Sequence, residues 1–468
     1  MPVTSLPASH TASLRPTAHF TAESSWLNDP NGLLYRDGTY HLFFQTNPHG
    51  SVWGNISWGH ATSTDLVSWT EHDVAIPFTE DEMVFSGSAV ADVRNTAGFA
   101  GPGQTALVAI YTSATSPRSD ERGDERSDGR GAQSQSLAYS LDDGASWTRY
   151  AGNPVLDVGS DEFRDPKVFW HGGDDGHWVM VAVEAVARQV VIYTSTDLRT
   201  WTFASHFGPA HALGGVWECP DLFPLTVEGT NQTRWVLVVS MNPGGIAGGS
   251  GAQYFVGDFD GAVFTPERLV DSTNLADFDW LDYGRDYYAA VSFNDVPDGR
   301  RLMIGWASNW DYANETPTDP WRSAMSLVRD VRLVRSADGV HRLTQRPVLP
   351  QNADGVSVFE LTVPSVAGDR HAVVLSGADD ERLVITVDGD ERSITCDRTA
   401  SGATTFHPSF PSVDWAPLPP GTEGTVDLLI VVDGMLVEIY AGDGQVTLTE
   451  QVFPQRPYDR FSVEALAG

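Results

Sequence analysis

The sequence predicts an all-β protein, a β-propeller followed by a C-terminal β-sandwich. Three observations lead there. Strong helix signals are scarce across the 468 residues, while short Val, Ile, Tyr and Trp runs are common among 44 Gly and 28 Pro. A strand-turn-aromatic unit recurs through the first two-thirds. Beyond Arg346-Pro-Val-Leu-Pro350 the pattern changes to regularly alternating strands.

The recurring unit is most regular in Thr62-Ser-Thr-Asp-Leu-Val-Ser-Trp69 and Thr194-Ser-Thr-Asp-Leu-Arg-Thr-Trp201. Tyr139-Ser-Leu-Asp-Asp-Gly-Ala-Ser-Trp147 repeats it with one extra residue, and Gly257-Asp-Phe-Asp-Gly-Ala-Val-Phe264 repeats it with Phe for Trp. Apolar stretches such as Leu107–Tyr111 and Val179–Val183 precede the copies. Strand, Asp-containing turn, then aromatic strand is a hairpin pattern, and its recurrence fits successive four-stranded propeller blades. Pro117–Gln135 interrupts the series. It is charged and glycine-rich and reads as a surface insertion between two strands.

The C-terminal strands include Ala372–Leu375, Leu383–Val387 and Leu428–Val432, with hairpin turns at Asp388–Asp390 and Val432–Met435. Alternation with tight turns predicts a sandwich. The expected division is a propeller domain over residues 1–345 and a sandwich over 346–468.

Composition narrows the function. With 29 basic and 62 acidic residues the net charge is −33, which opposes nucleic acid and anionic membranes. No apolar run reaches the roughly 20 residues of a membrane span. Met1–Phe20 lacks a basic segment followed by an apolar one, so the chain reads as cytoplasmic or as a secreted protein supplied without its leader. Cys219 and Cys396 are too few and too far apart for a disulfide framework, and no His/Cys cluster suggests a metal. No metal or cofactor is expected.

Three segments carry the chemistry: Trp26-Leu-Asn-Asp-Pro-Asn-Gly32, Phe163-Arg-Asp-Pro-Lys167 and Trp217-Glu-Cys-Pro-Asp221. Each sets a carboxylate near a proline and an aromatic ring. Proline fixes φ and lacks an N–H, which places each acid at a strand end or tight turn. Glycoside hydrolysis needs two carboxyl groups flanking the scissile bond. Asp29, Asp165 and Glu218 fall in different predicted blades, and inner strands of successive blades converge on one axial pocket. Amides around Asn28-Asp-Pro-Asn31 are expected to hold Asp29 ionised, as a nucleophile requires. Glu218, between Trp217 and Cys219, is expected to be desolvated and to hold its proton, as a general acid requires. Arg164 is expected to keep Asp165 ionised, ready to favour a cationic transition state.

These three segments resemble the signature motifs of glycoside hydrolase family 32, which contains invertases, exo-inulinases, levanases and related fructosyltransferases. Phe85-Ser-Gly-Ser88, Asp282-Tyr-Gly-Arg-Asp-Tyr-Tyr288, Gly305-Trp306 with Trp310, and Asp397-Arg-Thr-Ala-Ser-Gly402 resemble further family motifs. The resemblance implies five blades, a sandwich, and a retaining two-step mechanism that releases or transfers fructose. By motif it implies Asp29 as nucleophile, Glu218 as acid/base and Asp165 as transition-state stabiliser. It also implies a fructose subsite lined by Asn28, Gln45, Trp53, Phe85, Ser86, Arg164 and Trp310, with Trp26, Asp282 and Asp286 in support.

Trp53-Gly-Asn-Ile-Ser-Trp58 resembles fructan-cleaving exo-enzymes more than invertases. The expected activity is therefore removal of terminal fructose from levan or inulin, and from sucrose. Three alternatives compete: a levan fructotransferase, an inverting arabinose-acting propeller enzyme, and a non-catalytic sugar-binding protein. The intact acid motifs argue against the last, and the ordered fructosidase motifs against the second. Cys219 is expected to set the polarity around Glu218, so that Cys219→Ser would lower the upper pKa of activity by offering that carboxylate a better hydrogen bond.

Overall fold

The structure is a computed structural model and describes residues 13–115, 132–350, 355–377 and 380–466. Five four-stranded antiparallel sheets follow one another along the chain, each in simple sequential order. They are the five blades of a propeller. The innermost strands are Trp26–Arg36, Glu82–Asp92, Phe163–His171, Val216–Thr226 and Tyr288–Ser292. The ring closes where the segment after the last of these meets the first: Asn294 N–H donates to Leu33 O at 2.9 Å, and Tyr35 N–H to Asn294 O at 2.9 Å.

Blade packing explains the apolar runs. Strand His177–Glu184 is buried on both faces. Val179, Val181 and Val183 pack with Leu237 and Val239 of the next blade, while Met180 and Ala182 pack with Val108 and Ile110 of the preceding one. A strand clamped between two sheets has no solvent face, so alternation disappears from its sequence.

The recurring unit is the turn between third and fourth strands of blades 1 to 4. In blade 1, Ser63 Oγ accepts from Leu66 N–H at 2.8 Å and Asp65 Oδ1 from Val67 N–H at 2.9 Å. In blade 3, Ser195 and Asp197 repeat this with Leu198 and Arg199, both at 2.9 Å. The side chains satisfy the turn's backbone donors, which is why Ser and Asp recur there. Of the predicted insertion, residues 117–131 lie outside the described residues. Gln133–Gln135 do not belong to it; they open the third strand of blade 2.

Two further sheets, of four and five strands, form the sandwich. Val373, Leu383, Ile385 and Ile394 of one face Val426, Leu428, Ile430 and Ile439 of the other. The 345/346 division falls inside the last propeller strand, His341–Pro347, and the first sandwich strand is Val356–Pro364. Residues near the N-terminus also touch the sandwich: Leu14 packs with Met435, Leu436 and Phe453, and Asp433 accepts from the N–H groups of Thr17, Ala18 and His19 at 2.8–3.0 Å.

Buried ion pairs join propeller to sandwich. Arg329 donates to Asp282 at 2.9 Å and to Glu438 at 3.0 Å. Arg398 donates to Asp286 at 2.5 Å. Asp282 and Asp286 thus anchor the seam and not the sugar site. Among the described residues no helix is long and apolar enough to cross a membrane.

Candidate active site

Every innermost strand is irregular at the same level. Pairing with the second strand shifts between Leu27 and Pro30, between Phe85 and Gly87, between Glu218 and Asp221, and between Tyr288 and Val291. Opposite Asp165 it shifts between Val181 and Val183. A bulge bends a strand and re-aims its side chains. Asp165 (φ 63°), Cys219 (φ 46°) and Ala289 (φ 51°) adopt left-handed backbone at these bulges. Pro30, Pro166 and Pro220 sit beside them, where a missing N–H leaves no orphan donor. The acids therefore lie within strands, at bulges, and not at the strand ends or tight turns expected.

The bulges bring Asp29, Ser86, Asp165, Glu218 and Tyr288, one from each blade, to the axis. Asp29 Oδ2 accepts from Ser86 Oγ at 2.7 Å, while Oδ1 is buried without a hydrogen-bond partner among the described residues. Asp165 Oδ2 accepts from the Cys219 N–H at 2.9 Å, and the Asp165 N–H donates to Thr112 Oγ1 at 3.0 Å. Cys219 Sγ lies 3.5 Å from Asp29 Oδ2 and 3.6 Å from Asp165 Oδ2. The thiol thus faces the other two carboxylates and not Glu218, contrary to expectation, because neighbouring residues at a bulge diverge.

Arg164 also differs from expectation. Its Nε lies 3.2 Å from Glu218 Oε1, and Nη1 donates to Glu162 at 2.6 Å and to Gln133 at 3.1 Å. It braces the glutamate and not the adjacent aspartate. The other Glu218 oxygen, Oε2, accepts from the Tyr288 hydroxyl at 2.5 Å. Trp217 points away into a core with Phe207 and Phe255, so the Glu218 side chain keeps 21% exposure between polar partners. The apolar enclosure predicted from Trp217 and Cys219 is not what surrounds it.

Burial raises the Asp29 carboxyl above its usual range, and the charge of Glu218 adds to this; hydrogen bonds from Ser86, Asn28 and Cys219 only partly oppose it. Burial likewise raises Asp165, outweighing the charge of Arg164, with Glu218 and Asp29 pushing the same way. Neither aspartate is held low by its local neighbours as its motif suggested. Packing three acids into one buried pocket dominates.

The remaining candidates form the walls. Asn28 accepts from Trp26 Nε1–H at 2.8 Å. Gln45 donates to Asn31 Oδ1 at 2.6 Å and to Val84 O at 3.1 Å, tying blade 1 to blade 2. Trp53 is 41% exposed and meets Phe85 edge-on at 6.2 Å; its backbone N–H donates to Asn314 Oδ1 at 2.9 Å. Trp310 packs on Trp306 at 4.8 Å and Trp26 at 5.9 Å. Tyr288 was not among the predicted site residues. Its motif was recognised, but the side chain that reaches Glu218 emerges only from the fifth blade's closure on the ring.

Comparison with known proteins finds matches over residues 19–468. Residues 19–347 match the glycosyl hydrolases family 32 N-terminal domain, and residues 335–468 the glycosyl hydrolases family 32 C terminal. An extracellular exo-inulinase of Aspergillus ficuum is 43% identical over 93% of this chain and 89% of its own. A levanase of Bacillus subtilis is 43% identical over 97% of this chain and 68% of its own. The crystal structure of an exo-inulinase from Aspergillus awamori superposes with a TM-score of 0.87 at 40% identity, covering 97% of this chain and 96% of that one.

Proposed function

The chain belongs to glycosyl hydrolases family 32, and from that membership we propose how its pocket cleaves a terminal fructosyl bond in two retaining steps. The protein is an exo-acting β-fructosidase of fructans and sucrose, like the exo-inulinases, levanase and invertase it resembles. Those relatives lend no support to a fructotransferase or to a non-catalytic binding protein.

In the first step Asp29 attacks the anomeric carbon. The glycosidic C–O bond breaks, and Glu218 gives its proton to the departing oxygen. In the second, Glu218 takes a proton from water, the water oxygen bonds to the anomeric carbon, and the Asp29–carbon bond breaks. Doubly ionised, Asp29 and Glu218 repel each other, so a proton on Glu218 favours the ionised nucleophile. Asp165 holds sugar hydroxyls and offsets the positive charge that develops in the transition state.

Ser86, Asn28, Gln45 and Arg164 complete the fructose subsite, with Phe85 and Trp310 as apolar wall. Trp53 stands at the mouth, where its exposed ring meets the rest of the substrate. The observation that carries this reading is the meeting of the three acids in one pocket, where Cys219 touches Asp29 and Asp165 and the charge of Glu218 acts on both. Product analysis on sucrose, inulin and levan tests it. Free fructose is expected from each, and Asp29→Ala and Glu218→Ala should each lose about 10²–10⁴-fold or more in kcat. Unchanged rates in both variants would overturn the assignment.

A further inference from the structure

Trp53 owes its place to a residue outside its own blade. It lies on the segment 48–56, which joins strands Thr39–Asn47 and Ser57–Ser63. Asn47 shapes the first half of that segment: its Oδ1 accepts from His49 N–H at 3.0 Å, and its Nδ2 donates to Val52 O at 2.8 Å. Past Val52 the backbone leaves the ordinary regions, with positive φ at Gly54 (147°) and Asn55 (48°). Val52 and Trp53 are both exposed. An exposed ring on such a loop gains conformational entropy by swinging away unless something outside the loop holds it.

The hold comes from blade 5. Residues 307–328 connect strands Arg301–Trp306 and Arg329–Arg335 and reach over the ring closure to blade 1. Arg322 anchors them there: its N–H donates to Ser25 O at 3.0 Å, and its carbonyl accepts from Leu27 N–H at 3.2 Å. The Arg322 guanidinium braces the tip of the same segment by donating to Asn314 O and Thr318 O. From that tip Asn314 Oδ1 accepts the Trp53 backbone N–H at 2.9 Å, and Asp319 Oδ1 accepts from Ser51 Oγ at 3.2 Å. The Trp53 loop is thus pinned at two points by a neighbouring blade. Its ring meets Phe85, whose neighbour Ser86 donates to the nucleophile Asp29. The exposed indole therefore stands at the rim of the catalytic pocket.

We propose that Asn314 is a positioning residue for the leaving-group side of the substrate. It acts through the Trp53 main chain, fixing the ring against which the sugar beyond the scissile bond rests. A loop held in its binding conformation has less order to gain when substrate arrives, and affinity rises accordingly. The proposal rests on the fructosidase reading above. Free fructose fills only the subsite of Ser86, Asn28, Gln45 and Arg164, so its binding should not sense Asn314.

Initial-rate kinetics of the intact protein on inulin, with fructose as competitive inhibitor, test this. Asn314→Ala should raise KM for inulin about two- to tenfold, the range that one lost hydrogen bond allows, with kcat and the fructose Ki within about twofold of wild type. Asn314→Asp keeps an acceptor for the Trp53 N–H, with Arg322 at hand to offset its charge, and should restore the wild-type KM. In a Trp53→Ala background Asn314→Ala should add nothing further. Asn314 is exposed, so both its variants should keep the wild-type Tm. A folded Asn314→Ala with unchanged KM, a fructose Ki that rises as much as KM, or no rescue by Asn314→Asp overturns the positioning role and leaves the fructosidase assignment standing. Wild-type protein that frees no fructose from inulin overturns that assignment instead.

Discussion

The Tyr288 hydroxyl lies 2.5 Å from Glu218 Oε2, on the opposite side of the carboxylate from Arg164. One oxygen of the acid/base candidate is thus held by a neutral donor and the other by a cation. Both must stay in place while the proton travels. Tyr288→Phe removes the donor and keeps the ring. We expect kcat on sucrose to fall roughly 10–100-fold with KM changed less than about threefold, measured by initial-rate kinetics. An equal loss in both parameters would mean that Tyr288 binds sugar instead.

Cys219 touches Asp29 and Asp165 and not Glu218. A hydroxyl donates to a carboxylate better than a thiol, so Cys219→Ser should favour the ionised aspartates. The acidic limb of the kcat/KM profile should move to lower pH by a fraction of a unit, with the alkaline limb unmoved. A shift confined to the alkaline limb would return the thiol's influence to Glu218.

Asp165 is raised by burial and by its acidic neighbours. A raised folded-state value means that ionisation costs the folded protein stability. That cost is absent below the unfolded value near pH 4 and grows as pH rises through the folded one. Asp165→Asn should therefore raise the Tm by a few degrees at pH 8 and by little at pH 4, while kcat falls about 10²–10³-fold. Calorimetry at the two pH values checks the sign, and an equal Tm change at both would contradict it.

The seam has the opposite arrangement. Burial alone would lower His19, but hydrogen bonds and charges from Asp433 and Glu438 outweigh it and raise the imidazole to about 9. Burial would raise Glu438, but Arg329 and His19 outweigh it and bring it to about 2. The histidine's contribution is full below its unfolded value near pH 6.5 and is lost as pH rises through 9. The glutamate's contribution is full above about pH 4.3 and is lost as pH falls toward 2. His19→Gln should lower the Tm by roughly 5 °C at pH 6 and by less at pH 9.5.

Much of this was legible in the chain. The Ser–Asp turns recur because each blade must satisfy the same backbone donors, and so the propeller was visible as a repeat. Asp29, Asp165 and Glu218 were visible because proline and aromatic neighbours mark them among 62 acids. The change of pattern at Arg346 is legible too, inside the strand His341–Pro347. The partnerships of Cys219 and Arg164 were not legible. Adjacency along a strand suggested Glu218 for the thiol and Asp165 for the guanidinium, and a bulge exchanges those directions without leaving a pattern in composition.

The amino-acid order by itself determined the all-β class and the blade repeat and singled out the three acids as candidates, because turn chemistry and hydrophobic periodicity act over a few residues. Only the tertiary structure decided what surrounds those acids and who holds them. Five distant strands must close into a ring before burial and mutual repulsion can raise Asp29 and Asp165, and before Tyr288 can reach Glu218.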